Sequence, residues 1–167
     1  MNKLTRILIG LIVTPLLGSA MAQQAAAPQA EKNYQLRLQF SPYTYHFVYN
    51  PDHKEVVMVG LEREFPDNTL DGVTIFKNSF GQDSTYIYPW GRTYHAIGGI
   101  EPLSFKWTAG LLYGYVDSFQ NEVPLNYHGF SPGLIFGLSY DFKPGWSAQL
   151  NFLGTAAVMF EVSAPLN

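Results

Sequence analysis

The sequence contains no cysteine. Disulfide staples are therefore excluded, as is a lipid-modified N-terminal cysteine. Basic residues are few: ten Lys and Arg stand against thirteen Asp and Glu, for a formal net charge of −3. No basic cluster breaks this balance, so a nucleic-acid partner is not expected. Long apolar runs are scarce as well. The one run, residues 7–17, is too short for a membrane-spanning helix, which needs about 20 residues. No later stretch is apolar enough to span as a helix. No glycine pattern has the spacing of a phosphate loop. His95 and His128 stand alone in the sequence, and neither a metal nor a cofactor is expected.

What is present first is an export signal. Lys3 and Arg6 precede the apolar run, and Ala20-Met21-Ala22 is a small-x-small cleavage site. Residues 1–22 read as a signal peptide whose removal leaves a more acidic chain. Residues 23–33 bear Ala, Gln and Pro without an amphipathic stripe and read as a periplasmic leader. Residues 34–167 read as one domain, with no internal repeat.

Hydrophobic residues make up 47% of the chain and aromatics 16%, yet they alternate rather than cluster. Residues 103–115 are the clearest case. Leu103, Phe105, Trp107, Ala109, Leu111, Tyr113 and Tyr115 fall on one face of a strand. Ser104, Lys106, Thr108, Gly110, Leu112 and Gly114 fall on the other. The stretch is long enough to cross a bilayer as a tilted strand of about 9–11 residues. A secreted soluble β domain is the alternative. The recurrence of the pattern behind an export signal favours a transmembrane barrel.

The same alternation marks seven more strands. The first begins at Tyr34 and bends at Pro42. The others are expected at 55–65, 71–77, 85–94, 130–142, from 146 and from 155, with turns at Asn50-Pro51-Asp52, Pro66-Asp67-Asn68 and Lys143-Pro144-Gly145. The expected fold is all-β, an eight-stranded antiparallel transmembrane β-barrel, the smallest of the bacterial kind. Tyr86, Tyr88 and Trp90 share a face in this reading and, with Tyr113 and Trp146, suit an interfacial girdle. Arg37, Glu62, Lys106, Asp141 and Glu161 point inward, where they can pair. Met58, Gly60, Leu112, Ile135 and Met159 also point inward and are candidates for the wall of an acyl-chain pocket, since a barrel this size holds packed side chains or one small ligand.

With a periplasmic N-terminus, the connections after the first and third strands share the outer rim. One carries His46 and His53, the other Asn78, Ser79, Asp83 and Ser84. A histidine that takes a proton from a serine hydroxyl makes it a nucleophile. Ordinary polar loop residues are the alternative.

Three segments tip that balance. Tyr43-Thr44-Tyr45-His46-Phe47-Val48-Tyr49, Phe76-Lys77-Asn78-Ser79-Phe80 and, less specifically, Trp107-Thr108-Ala109-Gly110 resemble segments of the outer-membrane lipid A palmitoyltransferase family, the PagP family. The resemblance implies an outer-membrane barrel, monomeric, that takes an acyl chain from phospholipid and transfers it to lipid A. It implies catalytic roles for His46 and Ser79, with Asn78 in the place of the family's Asp as orienting or oxyanion-polarising group. An Asp in that role fixes the tautomer of its histidine and stabilises the imidazolium; here Asp83 and Asp52 are the substitutes to consider. The family's N-terminal amphipathic helix has no counterpart in residues 23–33. Asn78 also favours a second reading, a non-catalytic outer-membrane barrel that binds or transports a lipidic small molecule. A purely structural barrel is a third.

Overall fold

The structure is a computed structural model and describes residues 34–166. The signal peptide and leader lie outside the described residues. Eight strands follow one another: β1 (Gln35–His46), β2 (Met58–Glu64), β3 (Leu70–Lys77), β4 (Asp83–Tyr94), β5 (Leu103–Tyr113), β6 (Phe130–Lys143), β7 (Trp146–Leu153) and β8 (Ala157–Pro165). Each pairs antiparallel with its neighbour, and β1 pairs with β8 to close the barrel. Closure leaves no strand edge unpaired at the seam. Among the described residues, helix is confined to two short 3-10 turns, Ile97–Gly99 and Asp117–Glu122.

The sequence alternation maps onto inside and outside. On β1, Leu38 and Phe40 face out while Arg37 and Gln39 are buried. Pro42 bends the strand as expected, with a register slip against β8 between Phe40 and Tyr43. The second strand starts at Met58 rather than at residue 55. Val56 and Val57 keep the alternation, one buried and one exposed, but make no ladder. Alternation records which face a residue takes, not whether its backbone is paired.

Strand β4 departs from the expected phase. Tyr86 and Tyr88 are buried in the lumen, whereas Trp90 is 65% exposed on the outside. A register slip between Ile87 and Trp90 separates them. Pro89 has no N–H for the ladder, and the bulge there reverses the phase of the residues that follow. The two tyrosines therefore form no part of an exterior girdle. Gly72 makes room for one of them: a Cβ there would sit 2.3 Å from the Tyr88 hydroxyl oxygen.

The lumen is filled from its base, the end that holds both ends of the described chain, to about its middle. Lowest, Arg37 Nη2 donates to Ser147 Oγ at 2.9 Å and Ser163 Oγ at 2.7 Å. Above this lies a charged layer. Lys106 and Glu62 form a buried ion pair. Gln39 Nε2 donates to Glu62 at 3.2 Å and Glu161 at 3.1 Å, and Asn151 Nδ2 donates to Glu161 at 2.7 Å. The Tyr88 hydroxyl donates to Gln39 Oε1 at 3.0 Å. Burying these charges is tolerable because the remaining oxygens are hydrogen-bonded. Two expected partners differ: Arg37 bonds serines rather than acids, and Asp141 is exposed beside a register slip at the base.

The outer surface is apolar around its circumference. Leu38, Val59, Ile75, Ile87, Leu134 and Leu150 are all exposed. An apolar exterior this extensive is unlike the surface of a soluble monomer.

Candidate active site

The connections after β1, β3, β5 and β7 gather at the mouth, opposite the base. The His46–Ser79 juxtaposition expected from topology is present: His46 Nε2 and Ser79 Oγ are 2.7 Å apart. His46 is the last residue of β1, held by pairing with Ala157 of β8. Ser79 sits in the tight connection between β3 and β4. That connection is shaped by Asn78, whose Oδ1 accepts from the backbone N–H of Phe80 and of Gln82, both at 3.0 Å. An asparagine bonding the backbone two residues ahead builds this kind of turn. The Ser79 carbonyl in turn accepts from the Lys54 amide at 2.8 Å, docking the β1–β2 connection onto it.

Asn78 itself does not reach His46. It is 1% exposed, and its Nδ2 donates to the Gly114 carbonyl at 3.0 Å and to Gln82 Oε1 at 3.3 Å. Its amide is thus committed to the loop walls. Neither alternative aspartate takes its place. Asp83 pairs with Lys77 at 2.6 Å on the outside, and Asp52 lies in an exposed turn. Among the described residues, no carboxylate hydrogen-bonds His46.

What surrounds the pair is aromatic. The His53 ring packs on the His46 ring with centroids 4.2 Å apart, and Phe80 meets His53 edge-on at 5.4 Å. Phe119 stacks on Phe80 at 4.3 Å. Tyr115 was expected on the outer face with Tyr113. Instead Gly114 takes φ +135° and breaks the alternation, and Tyr115 turns to the mouth. It lines the same cavity as His46 and Ser79. Burial raises the phenol above its ordinary range, and the neighbouring Ser79 offsets part of that rise. Strict alternation hid Tyr115 in the sequence; the glycine immediately before it was the available signal.

Below the pair lies a cavity of about 660 Å³, within the usual range for ligand pockets of roughly 300–1,000 Å³. Met58, Leu112, Ile135 and Met159 line it, as does Phe76. Gly60 does not. A Cβ there would sit 2.7 Å from both Gln39 and Thr74 side-chain atoms, so that position is already packed. The charged layer of Glu62 and Glu161 forms the floor. Thr44 and Ser131 line the wall with buried hydroxyls that make no hydrogen bond among the described residues.

The wall is interrupted at two places. The β1–β2 ladder stops at Ser41 and Met58, leaving Tyr43–His46 paired only to β8. The β6–β7 ladder begins at Phe136 and Phe152, leaving residues 130–135 paired only to β5. Pro132 and Leu134, on the outward face of that unpaired stretch, also line the cavity.

His95 is not isolated, as the sequence suggests. At the base its Nδ1 lies 3.1 Å from Ser104 Oγ, and its Nε2 3.5 Å from Glu64 Oε1. Among the described residues no group of three or more His, Asp or Glu is arranged to hold a metal ion. No protein-family model matches the chain, and no curated protein matches it.

Proposed function

We propose that this barrel is a PagP-like acyltransferase of a Gram-negative outer membrane, moving an acyl chain from phospholipid to lipid A. One observation carries the reading: a His–Ser pair at 2.7 Å stands over the mouth of an apolar-walled, closed-bottomed cavity. The apolar exterior suits lipid, where a closed barrel satisfies its backbone hydrogen bonds internally. The unpaired stretch of β6 offers a lateral path from the bilayer to the cavity. A tail lying among Met58, Leu112, Ile135 and Met159 brings its ester to Ser79. His46 removes the hydroxyl proton and later returns it to the leaving oxygen.

A second reading is a barrel that binds or transports a lipidic small molecule without chemistry. The observation favouring it is that no carboxylate supports His46. A mass spectrum of lipid A from cells with and without the protein separates the two. The enzyme adds one acyl chain to lipid A, and the His46→Ala and Ser79→Ala variants add none while still folding. Unchanged lipid A in every case, with lipid retained by the purified barrel, means the second reading.

A further inference from the structure

We propose that His53 is a positioning residue of the acyl transfer: its ring, packed on the His46 ring, holds that imidazole on Ser79 and faces the charge it gains. The proposal rests on the acyl-transfer reading and deepens it, because no residue has otherwise been assigned to support His46.

Three features lead there. First, His46 lacks another support. Among the described residues its ring makes one hydrogen bond, to Ser79 Oγ at 2.7 Å, and none to a carboxylate. A histidine ring turns easily about its second side-chain torsion, so that bond alone leaves the ring plane loosely set. Second, the His53 ring lies against it. The centroids are 4.2 Å apart, the planes are inclined by 41°, and both residues line the cavity. Third, His53 is itself held. Its amide donates to the Asn50 carbonyl at 3.0 Å, and the next amide, that of Lys54, donates to the Ser79 carbonyl at 2.8 Å. Phe80 meets the His53 ring edge-on at 5.4 Å, and Phe119 stacks on Phe80 at 4.3 Å. Phe80 follows Ser79 in the chain. The loop that carries the nucleophile therefore also braces the ring that braces its base.

The chemistry follows in order. The Ser79 proton passes to His46 Nε2 as an Oγ lone pair bonds to the ester carbonyl carbon and the carbonyl π pair moves onto its oxygen. His46 is then an imidazolium, and it lies against the His53 ring. An aromatic ring attracts a cation held within about 6 Å of its centroid. His53 gives and takes no proton in this step. When the pair returns, the bond to the leaving oxygen breaks and that oxygen takes the proton from His46. An acceptor hydroxyl then opens the acyl-Ser79 ester by the same sequence: its proton passes to His46 and from there to Ser79 Oγ. The support acts while His46 is charged, so it speeds the step without tightening the hold on bound substrate. A fixed cation in place of His53 does the reverse, because it repels the imidazolium.

The test uses purified full-length protein in detergent, a defined diacyl phospholipid as donor and purified lipid A as acceptor. In His53→Ala, kcat falls roughly 10–30-fold, as for loss of one ring–cation contact, while the donor KM stays within about twofold. His53→Phe restores a ring and keeps kcat within about threefold of wild type. His53→Lys brings a charge instead of a ring, and its kcat falls below that of His53→Ala. A His53→Ala enzyme with wild-type kcat overturns the proposal and leaves the acyl-transfer reading standing. A loss confined to KM also overturns it, because His53 then only binds substrate. Should the alanine variant fail to fold, the other two decide: equal kcat in His53→Phe and His53→Lys overturns the proposal. A wild-type protein that folds but turns over no donor removes the reading, and the proposal with it.

Discussion

The Asn78 side-chain amide donates to the Gly114 carbonyl at 3.0 Å, tying the loop that carries Ser79 to the strand end that aims Tyr115. With the two Gln82–Val116 hydrogen bonds at 3.2 Å, it joins the two sides of the site. It also explains what asparagine does there that aspartate cannot: a carboxylate has no N–H to give, and would oppose the carbonyl oxygen.

Asn78→Asp is therefore expected to lower acyl transfer rather than raise it, although it supplies the residue type the lipid A palmitoyltransferases carry. Leaving the Gly114 carbonyl buried and unpaired costs about 1–3 kcal/mol. A urea titration of the folded barrel, read beside the lipid A mass spectrum, checks both parts. Unchanged stability with increased transfer would refute the tether.

The alkaline side of the stability profile should report Tyr115. Its folded pKa is raised by burial, so the protonated form is favoured in the native state. The resulting stability is full below the free phenol value of about 10 and is lost as pH rises through the higher folded value. Loss of folded barrel above pH 10 should be smaller in Tyr115→Phe than in wild type. Identical profiles would place the phenol in a solvent-like setting.

The charged floor should respond asymmetrically. Lys106→Met strands Glu62 in the lumen and is expected to destabilise the barrel by about 3–5 kcal/mol, whereas the Lys106→Met/Glu62→Leu double variant recovers most of that loss. Unfolding midpoints in urea test this. A benign Lys106→Met would mean that the Lys106–Glu62 pair does not hold this layer together.

Filling the cavity should change what it holds. Ile135→Trp adds a large ring to the apolar wall, and the transferred chains become shorter or transfer stops. Chain lengths on lipid A, read by mass, decide the matter.

Most of the barrel was legible because a pleated strand with one lipid-like face and one packed face writes itself as period two. Strand number, faces and the rim shared by His46 and Ser79 all follow from that period. The failures lie where a residue shifts the phase. Pro89 inserts a bulge, so Tyr86 and Tyr88 go inside while Trp90 stays out. Gly114 takes a backbone angle closed to other residues, and Tyr115 leaves the face of Tyr113. The surroundings of Asn78 were hidden for another reason. Its neighbour in sequence is Ser79, but its partners are the Gly114 carbonyl and the backbone of its own loop, and only the folded chain brings Gly114 there.

The layer of Glu62, Lys106, Glu161 and Gln39 makes the chamber above it a cul-de-sac. Whatever comes in cannot leave through the base and must go by the mouth or by the gaps in the wall. On the acyl-transfer reading, the acyl chain stays in the chamber on Ser79 while the spent donor leaves and the acceptor comes to the mouth. The spent donor has to withdraw before the next substrate is engaged. On the acyl-transfer reading, turnover should then show parallel lines in double-reciprocal plots, and a crowd of donor lipid should slow it by occupying the chamber.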